Sequence, residues 1–293
     1  MHFTVYRPQV LTFGLGSFLR NNSNDHSKNA ILGAGALTDI QKHMLMMFIA
    51  VRVGVGLVGL SLPIILAGVG HWTYEIPLAG SLSAYYHATK ECSGLKAANS
   101  LEAASTEQAA SIPDPCLAIG IGPMRNWFVG NLFFIGSAML LMRGFSHLEN
   151  WLLNVAGIMA PCVALFPMNW GNETGFNPHL TFAITFFVCI GLTCLFCSGK
   201  TLREMPATIP DRAKVIAFYR FWYRVLGTLM IVAPIAAHLF LRRDPHRMFV
   251  VETAGVWAFG AYWLFKTFEL KRSDVEGKAL RGQLANMDPR IWK

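Results

Sequence analysis

The sequence predicts an all-α membrane protein, a bundle of about six transmembrane helices, and three observations support this class. Six long stretches are almost free of charge, at residues 44–69, 128–142, 151–167, 180–196, 225–241 and 249–268. Most of them approach the ~20 residues that a helix needs to cross a bilayer core. They are continuously apolar, whereas the strands of a membrane barrel would alternate between apolar and polar residues. Because a backbone in lipid must satisfy its own hydrogen bonds, each stretch is predicted to be a helix.

The composition agrees with a membrane bundle and argues against nucleic acid as a partner. Of the 293 residues, 53% are hydrophobic and only 14% are charged, whereas a soluble domain has ~25% charged residues. The net charge of +8 is explained by the Lys and Arg residues that collect at the cytoplasmic ends of membrane helices. Six crossings with their loops use the whole length, so we expect one membrane domain.

The distribution of Lys and Arg predicts that both termini are cytoplasmic. Residues 1–43 form an N-terminal segment without the features of a signal peptide, residues 44–268 form the bundle, and residues 269–293 form a basic tail. The connection after the fourth stretch is also basic and falls on the same side if there are six crossings. The last hairpin departs from this orientation, because its turn, on the outer side, carries Arg242, Arg243 and Arg247.

The connection between the first two helices, residues 70–125, is predicted to lie on the outer side. Its middle part, residues 91–116, is an Ala/Ser-rich insertion that we expect to form either a short surface helix or a mobile segment. Cys92 and Cys116 bracket this insertion, and in an oxidising compartment they would form a disulfide. The alternative is two free thiols.

Polar residues from distant parts of the chain are predicted to meet at the outer ends of the helices. An ionisable group inside a membrane span is costly and marks function by default. The topology places one set at a single level: Ser81, Ser83, His87, Arg125, Asn126, Asn131, His179, His238 and Glu252. We expect a polar pocket there that opens to the outer leaflet and is shaped by an Arg125–Glu252 ion pair. Hydrogen bonds are expected among Ser83, His87, Asn131 and His179, whereas the inner half should be almost purely apolar apart from Arg52.

Two reactive chemistries would suit this pocket. His87, His179 and His238 are candidate ligands for zinc, which would activate a water molecule for attack. The chain has no tight pair such as H-x-x-x-H among them. In the second chemistry Ser83, or Ser81, is a nucleophile and His87 is its base.

A third use of the pocket involves no reaction. Its polar groups would hold a lipid headgroup or a quinone-like ligand, with Arg125, Asn126, Asn131, His179 and Glu252 as the binding residues. A purely structural alternative is that His179 and His238 are interfacial histidines at helix ends and that Glu252 forms a salt bridge with Arg125 or Arg243.

Several short motifs resemble one known family. They are SLSAYYH at residues 81–87, RNWFVG at 125–130, RGF at 143–145, NVAG at 154–157, VALFP at 163–167 and the late Glu252. Together they are similar to a bacterial family of multi-pass inner-membrane proteins of unknown function, over roughly residues 44–271. The family pattern has an Arg-Asp pair at its second helix, where this chain has Asn126, and its first loop lacks so long an insertion.

The same pattern is faintly similar to the superfamily of alkaline ceramidases and related membrane hydrolases. That resemblance implies Ser, His and Asp side chains near one face of the bundle. Because Asn126 replaces the acidic residue, the role of a carboxylate base at this position is in doubt.

The sequence is therefore compatible with three functions, which we rank as follows. The first is a non-enzymatic accessory or structural subunit of a membrane assembly, with an outer pocket that holds a lipid; its partners would be membrane lipids and other membrane subunits. The second is a hydrolase, either zinc-assisted or Ser/His-dependent, that acts on a lipid ester or amide. A transporter ranks last, because the inner half offers no polar path and no internal repeat is evident. The expected location is the bacterial inner membrane.

Overall fold

The computed structural model describes residues 37–90, 122–168, 177–240 and 245–281, and every regular element within these ranges is a helix. By its contacts the chain divides into two units, Met1–Thr38 and Asp39–Lys293. Of the first unit only Leu37 and Thr38 are described, so the fold below is that of the second. The predicted all-α multi-pass bundle is confirmed.

Within the described ranges the bundle has six long helices and several short ones. In chain order the helices are α1 (Asp39–Ile64), α2 (Gly70–Tyr74), α3 (Arg125–Leu141), α4 (His147–Leu165), α5 (Pro178–Leu192), α6 (Ser198–Arg203), α7 (Arg212–Phe240), α8 (Pro245–Ser273) and α9 (Val275–Leu280). A π-helical turn joins α1 to α2 and another joins α5 to α6, at Ile65–Val69 and Thr193–Cys197. A 3-10 turn, Ser83–Tyr86, lies between α2 and α3.

Five helical segments of the described chain are long and apolar enough to cross a membrane. They are Asp39–Tyr74, His147–Leu165, Pro178–Arg203, Arg212–Ala236 and Arg247–Ser273. The sixth predicted crossing corresponds to α3, which has 17 residues. At ~1.5 Å per residue it is about 25 Å long, which is at the lower limit for a span.

The six long helices form a closed ring in which each one packs against the next along the chain. Contacts run from α1 to α3, α4, α5, α7 and α8 in turn, and α8 packs back against α1. We call the end where α1 gives way to α2 and α8 begins the cavity end. The opposite end, where α1 begins and α8 finishes, is the network end.

Pairs of glycines allow three of these helix contacts to be close. The pairs are Gly56–Gly260 between α1 and α8, Gly136–Gly157 between α3 and α4, and Gly191–Gly227 between α5 and α7. A Cβ atom on Gly136 would lie 2.6 Å from the carbonyl oxygen of Gly157, a distance that atoms cannot adopt. Small residues at such positions let helices associate in lipid through backbone packing.

The N-termini of α4 and α5 carry capping residues that the sequence supplies locally. The Ser146 hydroxyl accepts a hydrogen bond from the backbone N–H of Glu149, at 3.3 Å, and the Glu149 carboxylate accepts one from Phe145 N–H, at 2.8 Å. The Asn177 side chain accepts from Leu180 N–H at 3.1 Å. These bonds satisfy backbone donors that a helix start leaves without partners.

The C-terminal helix α9 docks on α1 at the network end. Both guanidinium nitrogens of Arg52 donate to the two carboxylate oxygens of Glu276, each at 2.6 Å. The Gln41 side chain donates to the carbonyl oxygen of Leu280 at 2.9 Å. The start of α1 and the end of α9 therefore lie at the same end of the bundle.

Replacing Glu276 by glutamine is expected to release α9. Arg52 would keep its charge inside the bundle without its carboxylate, and breaking a buried pair in this way costs about 3 kcal/mol. Trypsin should then cleave after Lys278 faster than in the wild type, as measured by limited proteolysis in mild detergent. Lys42→Gln removes an exposed ion pair with Asp39 and should leave cleavage unchanged. Equal cleavage of Glu276→Gln and wild type would contradict this role for the pair.

Candidate functional site

A cavity of about 320 Å³ lies inside the helix ring at the cavity end. All six long helices contribute to its wall, and most of the lining side chains are apolar. The polar side chains in the lining are Ser83, Asn177, His179 and Glu252. An apolar cavity with a few placed polar groups is the usual form of a small-molecule site.

The segment that carries Ser83 is held in place by its own hydrogen bonds. The Ser81 hydroxyl accepts a hydrogen bond from Ala84 N–H, within the 3-10 turn, at 3.1 Å. Tyr85 is fully buried, and its hydroxyl accepts from Ala79 N–H at 3.3 Å. Burial raises the pKa of the Tyr85 phenol above its ordinary value. The turn is therefore a rigid support for Ser83.

Ser83 is hydrogen-bonded to a histidine from a distant helix. The distance between the Ser83 hydroxyl oxygen and His179 Nε2 is 2.8 Å. His179 lies in the first turn of α5 and is buried, with only 6% of its surface exposed. The other ring nitrogen, Nδ1, lies 3.1 Å from the Val163 carbonyl oxygen and 2.9 Å from that of Phe166.

These partners determine where the proton of His179 lies. Carbonyl oxygens only accept hydrogen bonds, so Nδ1 must carry the hydrogen, and in a neutral ring Nε2 is then the acceptor. The Ser83 hydroxyl therefore donates to Nε2. The carbonyls belong to the end of α4, where a helix has no backbone donors for its last C=O groups. They orient the imidazole as an acidic residue does in a catalytic triad.

Glu252 connects α8 to the same turn. One of its carboxylate oxygens accepts from Leu82 N–H at 2.7 Å, so it contacts the residue before Ser83. Glu252 lines the cavity and is partly buried. Its carboxylate lies beside the Ser83–His179 pair and holds the backbone of Leu82, the residue that precedes Ser83.

His87 contacts a backbone carbonyl and an aromatic ring near the turn. Its ring nitrogen Nε2 lies 3.1 Å from the carbonyl oxygen of Met168, and its ring packs on Tyr86 with centroids 4.7 Å apart. The sequence predicted hydrogen bonds among Ser83, His87, Asn131 and His179, and the structure shows the one between Ser83 and His179. The role of His87 as a base stays a prediction. Ser81, the alternative nucleophile, is buried and accepts a hydrogen bond from the turn.

The predicted binding residues at the start of α3 make contacts outside the cavity. Arg125 lies over the Tyr86 ring, with 5.2 Å from its guanidinium carbon to the ring centroid. Within the described ranges the ion pair between Arg125 and Glu252 is not formed. The Asn131 side chain donates to the Trp127 carbonyl oxygen at 2.7 Å, within its own helix, and Asn126 is exposed. α3 lines the cavity instead with Phe128, Leu132 and Ile135.

The zinc and disulfide predictions fall partly outside the described residues. In the part of the chain that is described, no three His, Cys, Asp or Glu side chains are grouped as a metal site. The side chain of His238 lies outside that part, so the set of His87, His179 and His238 stays a prediction. Cys92 and Cys116 also lie outside the described residues.

The network end contains a buried polar cluster that the sequence reasoning missed. The Lys266 ammonium group donates to the Glu269 carboxylate at 2.8 Å and to the Thr201 hydroxyl at 2.5 Å. The Tyr223 hydroxyl donates to the same Glu269 oxygen at 2.9 Å. Lys266 and Glu269 have exposed fractions of 2% and 0%. The expectation that this half is apolar apart from Arg52 is therefore wrong.

A local pattern could have predicted this cluster. Lys266 and Glu269 are three residues apart, a spacing at which side chains on a helix are neighbours. The last span was predicted from hydropathy alone to end at residue 268. This boundary placed Lys266 in the span and Glu269 in the tail. α8 continues to Ser273, so both residues are inside one helix.

No family model, curated protein or solved structure matches the chain.

Proposed function

We propose that this protein is an integral membrane protein that binds a single amphiphilic molecule in the cavity. The cavity supports the proposal, because it combines a polar rim, formed by Ser83, His179 and Glu252, with an apolar interior. A lipid headgroup needs hydrogen-bonding partners and its chain needs apolar contacts, and this site offers both. The proposed location is the bacterial inner membrane, with the cavity end towards the outer leaflet.

Filling the cavity with a side chain should prevent the protein from retaining a lipid. Ala183 lines the cavity on α5, and Ala183→Phe would place a ring in the space that the ligand needs. The experiment is purification in mild detergent followed by mass spectrometry of bound molecules. We expect a defined lipid at stoichiometric amount in the wild type and a loss of about tenfold or more in the variant, equivalent to ~1.4 kcal/mol.

The matched control is Ala217→Phe, which adds the same ring on an exposed face of α7. This variant should retain as much lipid as the wild type. If the two variants retain equal amounts of lipid, or if the wild type retains none, the result argues against a ligand in the cavity.

The hydrogen bond between Ser83 and His179 favours a second candidate function, a hydrolase for lipid esters or amides. In this reaction the Ser83 oxygen bonds to the acyl carbon and its proton moves to His179 Nε2. The proton then passes to the departing alcohol or amine as its bond to the acyl carbon breaks. A water molecule next cleaves the acyl–serine ester by the same route, which restores Ser83.

The accessory-subunit function stays a prediction, since it concerns proteins other than this chain. The purification experiment addresses it as well. A partner protein present in a fixed ratio would support it, and a monodisperse single protein would count against it.

A further inference from the structure

We propose that the cavity selects its ligand by chain length, accepting one straight acyl chain of medium length with its uncharged carboxyl, ester or amide group at the polar rim. This inference rests on the proposed function and adds the class of ligand. It names the floor of the cavity as the part that determines selectivity.

The depth of the cavity follows from the positions of rim and floor on the same helices. On α8 the rim residue is Glu252 and the innermost lining residue is Phe259. On α5 the rim residue is His179, and the ring that packs on Phe259 is that of Phe186. Each pair is separated by seven residues, or about 10 Å at ~1.5 Å per residue. An extended octanoyl chain is close to this length, and a hexadecanoyl chain is much longer.

Two aromatic rings close the cavity at its inner end. The ring centroids of Phe186 and Phe259 are 5.4 Å apart, with 52° between the ring planes. Both side chains are buried, with exposed fractions of 6% and 1%, and both belong to the main hydrophobic core. Close-packed core residues yield little to an incoming group. The floor is therefore fixed, and a longer chain cannot push past it without breaking core contacts.

The volume limits the ligand to one chain. Small-molecule sites range from ~300 to 1,000 Å³, and the cavity, at about 320 Å³, lies at the lower end of that range. A diacyl lipid would have to leave at least one chain outside. A single-chain ester or amide, or a fatty acid in its protonated form, fits the volume and places no second negative charge beside Glu252.

The test measures binding of tritiated fatty acids to the purified protein by scintillation proximity. The probes are octanoate, dodecanoate and hexadecanoate. We expect the wild type to bind octanoate at least about tenfold more tightly than hexadecanoate, a difference of ~1.4 kcal/mol. Each methylene of a short chain that the cavity buries should improve binding about fourfold.

Two variants test the cavity in different ways, one by filling it and one by deepening it. Ala160 lines the cavity and is fully buried, so Ala160→Leu should weaken octanoate binding by about tenfold. Phe186→Ala removes half of the floor and should shift the preference towards dodecanoate. Ala217→Leu, on the exposed face of α7, is the control for added apolar volume and should bind as the wild type does.

The outcomes separate this inference from the proposed function. If none of the three acids binds to the wild type, the proposed function fails and this inference fails with it. If all three bind equally, or if Phe186→Ala leaves their order unchanged, binding in the cavity stands but the length selection is refuted. Should Phe186→Ala fail to fold, the wild-type order and the loss of octanoate binding in Ala160→Leu still decide the question.

Discussion

Lys266→Met is expected to destabilise the protein by about 3 kcal/mol or more. The change leaves the carboxylate of Glu269 inside the bundle without its cation, and Glu269 has no exposed surface. Tyr223 would still donate one hydrogen bond to it, but an uncompensated buried charge is strongly unfavourable. We expect a clear drop in the midpoint of thermal unfolding, measured in mild detergent.

Two further variants test whether the loss arises from the pair. Lys271→Met makes the same exchange at an exposed position of α8 and should leave the midpoint nearly unchanged. Lys266→Met combined with Glu269→Gln removes both charges, so the double variant should be more stable than Lys266→Met alone. A double variant that is less stable than the single one would show that Lys266 acts mainly through Thr201 or its aliphatic packing.

His179→Gln should lower hydrolysis of a single-chain ester by about a thousandfold if the hydrolase candidate is correct. A positioned general base typically contributes ~10²–10⁴-fold, and glutamine keeps a polar group at the position without the ability to take the proton. Ser83→Ala should cause a loss of similar size, because the two residues act as one unit. The measurement is kcat with p-nitrophenyl octanoate, together with the amount of acyl–enzyme formed in the first turnover.

Controls of the same chemical type are available elsewhere in the chain. Ser137→Ala and His71→Gln change exposed residues on α3 and α2 and should keep the wild-type rate. Hydrolysis that survives both Ser83→Ala and His179→Gln would eliminate the hydrolase candidate. Ligand binding without any hydrolysis in the wild type would leave the binding function standing by itself.

The difference between the predicted and observed partners of Ser83 has a physical cause. The sequence offers His87 as a base because it is four residues away, and spacing is the only geometry that a sequence contains. The 3-10 turn rotates Ser83 towards α5 and His87 towards Met168. The sequence places His179, which is 96 residues away in the chain, in the same polar group, but its direct bond to Ser83 is identified only when α4 and α5 are packed together.

The start of α3 shows the same limit in another form. Arg125, Asn126 and Asn131 are at the predicted level of the bundle, because level follows from position along a helix. Which of them faces the cavity depends on the rotation of α3 about its axis, and that rotation is decided by its contacts with α1 and α4. Arg125 consequently stacks on Tyr86, and the apolar face of α3 lines the cavity.

The sequence by itself determined that this chain forms a bundle of apolar helices and which stretches they include, although α7 begins 13 residues before its apolar stretch and α8 continues five residues past its own. The reason is local: in a bilayer each backbone must satisfy its hydrogen bonds within its own segment, so long apolar stretches can only be helices. Tertiary structure alone decided which polar side chains meet, since such contacts depend on the rotation and register of packed helices. The Ser83–His179 bond, the Phe186–Phe259 floor and the docking of Glu276 on Arg52 all depend on residues from helices that meet only in the folded ring.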